Sequence, residues 1–257
     1  MVFALIPYFE MPEFHLGPFT LRAWGVLVAA GFMLGFFIAD KRTRRLGLDP
    51  EKTGALGMWI MVSSLIFARL GHCFFYKPLY YIENPLEILM VWHGGMSSFG
   101  GFLGAVIGAV SFTYKHKVSL KQYGDVIAFA FIPGWAVGRI GCFLVHDHPG
   151  RLSDFFLAVD FPNGPRHDMG LYESLFSFAV AALFFLLDGK KRKEGFYLAL
   201  LPLLYGIGRF FLDFLRAADL ADSDVRYSGL TPGQWGSIML AICGLFLLLR
   251  SKNRDQQ

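Results

Sequence analysis

Long apolar runs separated by short polar segments dominate the chain. Each run contains about 20 residues, the length that an α-helix needs to cross a hydrocarbon core of about 30 Å at 1.5 Å per residue. The pattern therefore predicts an all-α integral membrane protein with about seven transmembrane helices. The predicted spans are Leu21–Asp40, Thr53–Tyr76, Ser97–Tyr114, Gly124–Val145, Tyr172–Asp188, Gly195–Phe214 and Pro232–Leu249.

The composition excludes a soluble globular domain. Of the 257 residues, 54% are hydrophobic and 17% are charged, whereas soluble domains contain about 25% charged residues. The three cysteines, an odd number, all lie in or beside apolar runs. This placement argues against a framework of disulfide bonds.

Lysine and arginine residues concentrate in alternate loops, after the first, third and fifth spans, and in the C-terminal tail. Because basic residues mark the cytoplasmic side of a membrane protein, we expect the N-terminus outside and the C-terminus in the cytoplasm. We accordingly divide the chain into an outward-facing interfacial segment (residues 1–20), a transmembrane domain (21–250) and a cytoplasmic tail (251–257).

Three arginines, Arg69, Arg139 and Arg209, fall inside predicted spans. Each costs about 2.5–3.5 kcal/mol at the centre of a membrane helix, and helix formation does not require them. One interpretation is that their long side chains extend to the outer headgroups. The other is an anion site at headgroup depth, because the planar fork of arginine binds phosphate through two hydrogen bonds.

Residues three, four and seven positions apart lie on one helix face, so each arginine has polar neighbours. These neighbours favour a site for an anionic phospholipid headgroup. Arg209 and Asp213 are also compatible with an ordinary i,i+4 ion pair. The groups predicted on this basis are Arg69 with His72, Arg139 with Cys142 and His146, and Arg209 with Asp213.

Several segments resemble family signatures in chain order. The sequence GRIGCF at Gly138–Phe143, followed by Gly150 and Arg151, is similar to a GR-(I/L)-GNF motif with a later GR. RHDMGLYE from Arg166 is similar to R-H-P-x-Q-x-Y-E. Further similar segments are LRAWG from Leu21, ARLG from Ala68, WHGGMSSFGG from Trp92, RFFLDFLR from Arg209 and PGQ from Pro232. Together they resemble the prolipoprotein diacylglyceryl transferase family.

The resemblance implies an enzyme of the bacterial cytoplasmic (inner) membrane. Members of this family transfer the diacylglyceryl group of phosphatidylglycerol to the lipobox cysteine thiol of a prolipoprotein signal peptide, at the outer leaflet. The implied partners are therefore phosphatidylglycerol, the prolipoprotein and membrane lipids. No nucleic acid, cofactor or metal is expected. The two essential arginines of the family correspond to Arg139 and Arg209.

The chain departs from the family pattern at several polar positions. Phe99 stands where the family has the histidine commonly assigned as the base. His146 or Asp147 could accept a proton instead, since an ordinary histidine titrates near pH 6.5; alternatively, His146 and His148 are interfacial loop residues. The predicted catalytic residues are Arg139, Arg209, His146, Asp147 and Asp213. The predicted substrate-binding residues are Arg69, His72, Gly100, Cys142, Arg151, Tyr172 and Glu173.

Three other functions are compatible with these residues. The protein could be a phospholipid-using transferase with a different acceptor, or a lipid-binding paralogue without catalysis. A transporter is the third, but the spans show no repeated halves or paired broken helices of the kind that transporters use.

Overall fold

The computed structural model describes residues 6–11, 14–16, 19–220 and 223–253. Within this part of the chain, α-helices are joined by short strands and 3-10 turns. The helices are α1 (Ala23–Arg45), α2 (Pro50–Phe75), α3 (Pro78–Glu83), α4 (Ser98–His116), α5 (Leu120–Val145), α6 (Met169–Leu187), α7 (Phe196–Leu212) and α8 (Pro232–Asn253).

Each predicted span coincides with one of the long helices, which confirms the all-α membrane architecture. Six of the described helices, α1, α2, α5, α6, α7 and α8, are long and apolar enough to cross a membrane. Helix α4 coincides with the third predicted span but is not one of these six, and its 19 residues include four glycines. The number of crossings and the outside position of the N-terminus stay predictions.

Short strands precede α1 and fill the connection between α5 and α6. They are β1 (Ile6–Pro7), β2 (Phe14–Leu16), β3 (Phe19–Leu21), β4 (Pro149–Leu152), β5 (Val159–Phe161) and β6 (Gly164–Asp168). One sheet has the order β1-β5-β6-β4, with β1 parallel to β5 and the other pairs antiparallel. Strands β2 and β3 form a separate antiparallel pair.

The predicted terminal segments are described only in part. Residues 1–5, 12–13 and 17–18 of the predicted interfacial segment lie outside the described residues, and so do residues 254–257 of the predicted tail.

The described chain divides into two compact units. The first contains the residues up to Ile38 and from Ala128 onward. Its core joins α5, α6 and α7 through the buried side chains of Phe129, Phe184 and Tyr197. This packing stabilises the three helices that carry the polar residues described below.

The second unit contains Ala39–Ile127. Its helices α2 and α4 approach closely through glycines: a side chain at Gly104 or Gly108 would overlap atoms of Ser63. The GxxxG spacing of these two glycines is typical of close contacts between membrane helices. A buried cluster of Leu56, Phe112 and Tyr123 completes the packing of this unit.

Two helices of the first unit begin at polar caps that also contact the candidate site. Asp168 precedes α6, and its Oδ1 accepts a hydrogen bond of 3.0 Å from the Leu171 amide. Before α8, the Thr231 amide donates to Gln234 Oε1 at 3.0 Å, and the Gln234 amide donates to Thr231 Oγ1 at 3.1 Å. The second arrangement is a reciprocal capping box, which satisfies two amides that the helix itself leaves without acceptors.

Candidate active site

The carboxylate of Glu173, near the start of α6, contacts arginines from two other helices. Arg139 Nε of α5 lies 3.0 Å from Glu173 Oε2, and Arg209 of α7 forms an ion pair with Glu173 Oε1. The glutamate is only 2% exposed. The structure therefore brings together two of the three arginines that the sequence placed inside apolar spans, Arg139 and Arg209, and it joins them through one shared carboxylate.

The ion pairs continue beyond Arg209. Asp213 lies 3.0 Å from Arg209 and 3.6 Å from Arg216, and Arg216 Nε lies 3.1 Å from Asp224. Cations and anions thus alternate from Arg139 to Asp224. The Arg209–Asp213 pair is an i,i+4 ion pair, but it is one member of this longer charge network.

Asp213 is fully buried at the end of α7. The hydroxyl group of Thr231 donates a hydrogen bond to its Oδ2, and the capping box holds Thr231 in place. A Cβ atom at Gly233 would lie 3.4 Å from both carboxylate oxygens, so the backbone of α8 also lies close to Asp213. Two carboxylates therefore orient Arg209. One is Glu173 of α6, and the other is Asp213, which Thr231 holds at the start of α8.

Arg139 retains a nitrogen without a partner. Its Nη1 donates to the Cys142 sulfur at 3.2 Å, whereas its Nη2 is buried and has no hydrogen-bond partner among the described residues. A buried polar group left unsatisfied costs about 1–3 kcal/mol, and more when it is charged. An anionic oxygen bound at Nη2 would remove that cost, so the site is suited to an anion such as phosphate.

Two aromatic residues that sequence reasoning missed support Glu173. The indole of Trp135 donates to the Tyr205 hydroxyl at 3.1 Å, and that hydroxyl donates to Glu173 Oε2 at 3.4 Å. Trp135 lies four residues before Arg139, and Tyr205 lies four residues before Arg209. The i,i+4 spacing that aligned the other polar residues could have identified both of them.

The three titratable residues after α5 do not act as one cluster. His146 turns inward, and its Nδ1 lies 2.7 Å from Asp168 Oδ2, with both side chains buried. Asp147 is exposed and lies 3.2 Å from His148 Nδ1. His146 is therefore packed inside the protein, whereas Asp147 is exposed and His148 is half-buried. The position of His146 and His148 at the membrane interface stays a prediction.

Tyr172 and Arg151 lie around the small sheet and not at the charge network. The Tyr172 hydroxyl lies 2.7 Å from His167 Nδ1 and donates to the Leu157 carbonyl at 3.3 Å. Arg151 is exposed on β4. The contacts of Tyr172 join α6 to the connection that precedes it, which is a structural role in addition to the predicted binding role.

The second unit contains the remaining predicted site residues, of which Arg69 is the most constrained. It is 3% exposed, and its Nε, Nη1 and Nη2 all donate to backbone carbonyls of the connection between α3 and α4. This saturation favours a structural role for Arg69 over the predicted phosphate contact. The acceptors are the carbonyls of Glu87, Ile88, Met90, Gly94 and Gly95.

His72 and Gly100 also have packing roles within the second unit. The His72 ring stacks on Tyr76, with 5.3 Å between the ring centroids. A side chain at Gly100 would overlap the Phe67 carbonyl of α2, so glycine is needed here for the contact between α2 and α4. Phe99 is 47% exposed.

Two histidines in the connection from α5 to α6 predict a dependence of stability on pH. Burial lowers the pKa of His167, and the nearby charge of Arg151 lowers it further; burial also lowers the pKa of His148. Below about pH 6.5 the unfolded state therefore binds more protons than the folded state. The stabilisation of the folded state that is linked to the two lowered pKa values is complete above about pH 6.5, and it is lost as the pH falls through the pKa values of the folded state.

The melting temperature in detergent is thus expected to decrease from pH 7 to pH 5. His167→Gln should reduce this slope, because glutamine can still donate a hydrogen bond to the Tyr172 hydroxyl oxygen but does not titrate. Arg151→Gln should reduce it less, since burial is the larger cause. An unchanged slope in His167→Gln would assign the pH dependence to other groups.

The comparison with known families covers nearly the whole chain. The family model described as prolipoprotein diacylglyceryl transferase matches residues 13–250. The chain belongs to this family. The matched range contains Arg139, Glu173, Arg209 and Asp213, so the charge network lies within the part of the chain that the family shares.

Curated relatives named phosphatidylglycerol–prolipoprotein diacylglyceryl transferase are similar to this chain over almost their full length, as three examples illustrate. The protein of Paramagnetospirillum magneticum is 36% identical, with 96% of each chain covered. The protein of Staphylococcus xylosus is 33% identical over 94% of this chain and 89% of its own. The protein of Chromohalobacter salexigens is 32% identical over 93% of this chain and 91% of its own.

Proposed function

We propose that this protein transfers the diacylglyceryl group of phosphatidylglycerol to the lipobox cysteine of prolipoproteins, at the outer leaflet of the bacterial cytoplasmic membrane. Family membership and the printed names of the relatives support the donor and the prolipoprotein acceptor. The apolar helices support a multi-pass membrane protein. The distribution of basic residues over alternate loops supports a site on the outer side.

The reaction exchanges one bond to a glyceryl carbon for another. The cysteine sulfur forms a thioether bond to that carbon, the bond from the carbon to the phosphate oxygen breaks, and glycerol phosphate leaves. The thiol proton must pass to a base. Negative charge grows on the phosphate as it leaves, so groups that bind the phosphate more strongly at that stage accelerate the step.

Arg139 and Arg209 are suited to this role because they come from different helices and share one carboxylate. They would bind the phosphate and neutralise the developing charge. Glu173 keeps the two positive charges close together in a buried site, and Asp213 orients Arg209. The observation that carries the proposal is the buried Arg139 Nη2, which lacks a hydrogen-bond partner within the described chain.

Purified protein incubated with phosphatidylglycerol and a lipobox peptide provides the direct test. We expect mass spectrometry to detect the peptide with an added diacylglyceryl group, and no adduct on a peptide with serine in place of cysteine. A relative named as this transferase, such as the Paramagnetospirillum protein, serves as the positive control once it forms the adduct in the same assay. No adduct beside an active control would refute the proposed acceptor.

The same assay distinguishes a different acceptor from an inactive lipid-binding protein. Release of glycerol phosphate from phosphatidylglycerol without modification of the peptide would indicate a transferase with another acceptor. Neither release nor adduct, with phosphatidylglycerol still bound, would indicate binding without catalysis. Restoration of growth in a strain depleted of its own transferase would support the prolipoprotein reaction in cells.

A further inference from the structure

A buried histidine–carboxylate pair lies outside the charge network. His146 follows α5 with a positive φ of 48°, and its Nδ1 lies 2.7 Å from Asp168 Oδ2. An ionised carboxylate can only accept a hydrogen bond, so Nδ1 carries the proton in the neutral ring and Nε2 carries the free lone pair. Nε2 is buried and has no hydrogen-bond partner among the described residues.

Asp168 is held rigidly enough to orient the ring. Its Oδ1 accepts the Leu171 amide at 3.0 Å and caps α6, while its Oδ2 faces His146. The two oxygens therefore have separate partners. The carboxylate that starts α6 thus fixes both the tautomer and the orientation of the imidazole.

The pair connects the same two helices as the Arg139–Glu173 ion pair. His146 directly follows the last residue of α5, seven residues after Arg139 and therefore about 10 Å further along the helix axis. Asp168 precedes Glu173 by five residues, or about 7.5 Å along α6. The imidazole therefore lies about two helical turns from the proposed phosphate site.

Aromatic rings enclose the imidazole. The ring of Tyr8 stacks on it with 5.0 Å between centroids, and that of Phe9 lies 4.8 Å away; Phe143 and Phe161 lie at 5.4 and 5.3 Å. Tyr8 and Phe9 follow β1, whose two residues pair with β5. These two rings belong to the segment that must move for a thiol to reach Nε2.

We propose that His146, oriented by Asp168, accepts the proton of the acceptor thiol. The inference rests on the proposed transferase function and names its base. The thiol proton moves to Nε2, the sulfur bonds to the glyceryl carbon, and the bond from that carbon to the phosphate oxygen breaks as glycerol phosphate leaves. The resulting imidazolium is stabilised by the Asp168 carboxylate and returns its proton to water.

The test compares His146→Gln and Asp168→Asn in the peptide adduct assay. We expect His146→Gln to lower kcat by at least about 100-fold without changing KM for phosphatidylglycerol. In the wild type, kcat should rise with pH as the imidazole loses its proton, and this rise should vanish in His146→Gln. Among the described residues, Asp168 and the Tyr8 phenol are the other titratable groups recorded in contact with the ring. The segments that enclose the ring also carry Glu10, Cys142, Asp147 and Asp160.

Asp168→Asn separates a chemical role from a structural one. Asparagine caps helices about as well as aspartate, so the fold should persist. It cannot stabilise an imidazolium as a carboxylate does, so kcat should fall by at least about 10-fold with a shifted pH profile. His148→Gln is the matched control, because it removes an imidazole two residues away and should leave kcat within about twofold of the wild type.

The outcomes distinguish this inference from the function on which it rests. If the wild-type protein forms no adduct beside an active control, the proposed function fails. If the wild type is active and a folded His146→Gln variant keeps its kcat and pH profile, His146 is not the base. Loss of activity in Asp147→Asn, with His146→Gln still active, would overturn the inference and assign the proton to the neighbouring carboxylate.

Discussion

Glu173→Ala is expected to lower the free energy of unfolding by about 3–5 kcal/mol, the cost of removing one partner of a buried ion pair. Arg139 and Arg209 both contact this carboxylate, so the variant leaves two guanidinium groups facing each other in a site that water barely reaches. Their mutual repulsion adds to the loss of attraction. The loss of stability should exceed that caused by replacing Asp224, the exposed residue at the end of the charge network.

Thermal unfolding in detergent measures this effect, with an expected decrease in melting temperature of about 10 °C or more. Asp224→Ala is the control, because Asp224 ends the same network with a side chain that is 41% exposed. Exposed ion pairs contribute only about 0–1 kcal/mol. Equal melting temperatures for the Glu173→Ala and Asp224→Ala variants would show that Glu173 does not hold the arginines together.

The positions of the long helices followed from the sequence because apolar length is a strong signal in a membrane protein. Helix α8 begins at Pro232, as predicted, and α5 ends at Val145, as predicted. The small sheet was not predicted. Its strands contain two to five residues each, which is too short for a period-two pattern to stand out from the surrounding Pro, Gly and aromatic residues.

The candidate site could be predicted only one helix at a time. An arginine in an apolar span is costly wherever it points, so Arg139 and Arg209 were identified from the sequence alone. Face alignment relates residues within a helix but does not reveal which residues of other helices meet them. For this reason the role of Glu173 as their shared partner, and the saturation of Arg69 by backbone carbonyls, became clear only from the structure.

The pairing of His146 with Asp168 shows the same limit for loops. The two residues are separated by 22 positions and by the three strands of the connection between α5 and α6. Asp168 stands at the position of the proline in the similar R-H-P motif, so the family pattern gave no reason to expect a carboxylate there. The proximity of these two residues depends on the path of the sheet, which the sequence pattern did not predict.

Arg139→Lys is expected to lower kcat/KM for phosphatidylglycerol by at least about 100-fold, the effect of removing one preorganised donor from a developing anion. Lysine keeps the positive charge and can still pair with Glu173, so the fold should persist. It presents a single ammonium group, however, and cannot contact Glu173, Cys142 and a phosphate oxygen from three separate nitrogens as the guanidinium can. The unpartnered Nη2 of Arg139 is the donor that the substitution removes.

The peptide adduct assay, run at several phosphatidylglycerol concentrations, measures this effect, and thermal unfolding verifies that the variant is folded. Arg44→Lys is the matched control, because Arg44 forms an exposed i,i+4 ion pair with Asp40 at 2.9 Å and should tolerate lysine without loss of activity. A folded Arg139→Lys variant with activity within a few-fold of the wild type would show that charge alone suffices at this position. The phosphate would then be bound mainly by Arg209, and the spare nitrogen of Arg139 would have no part in the reaction.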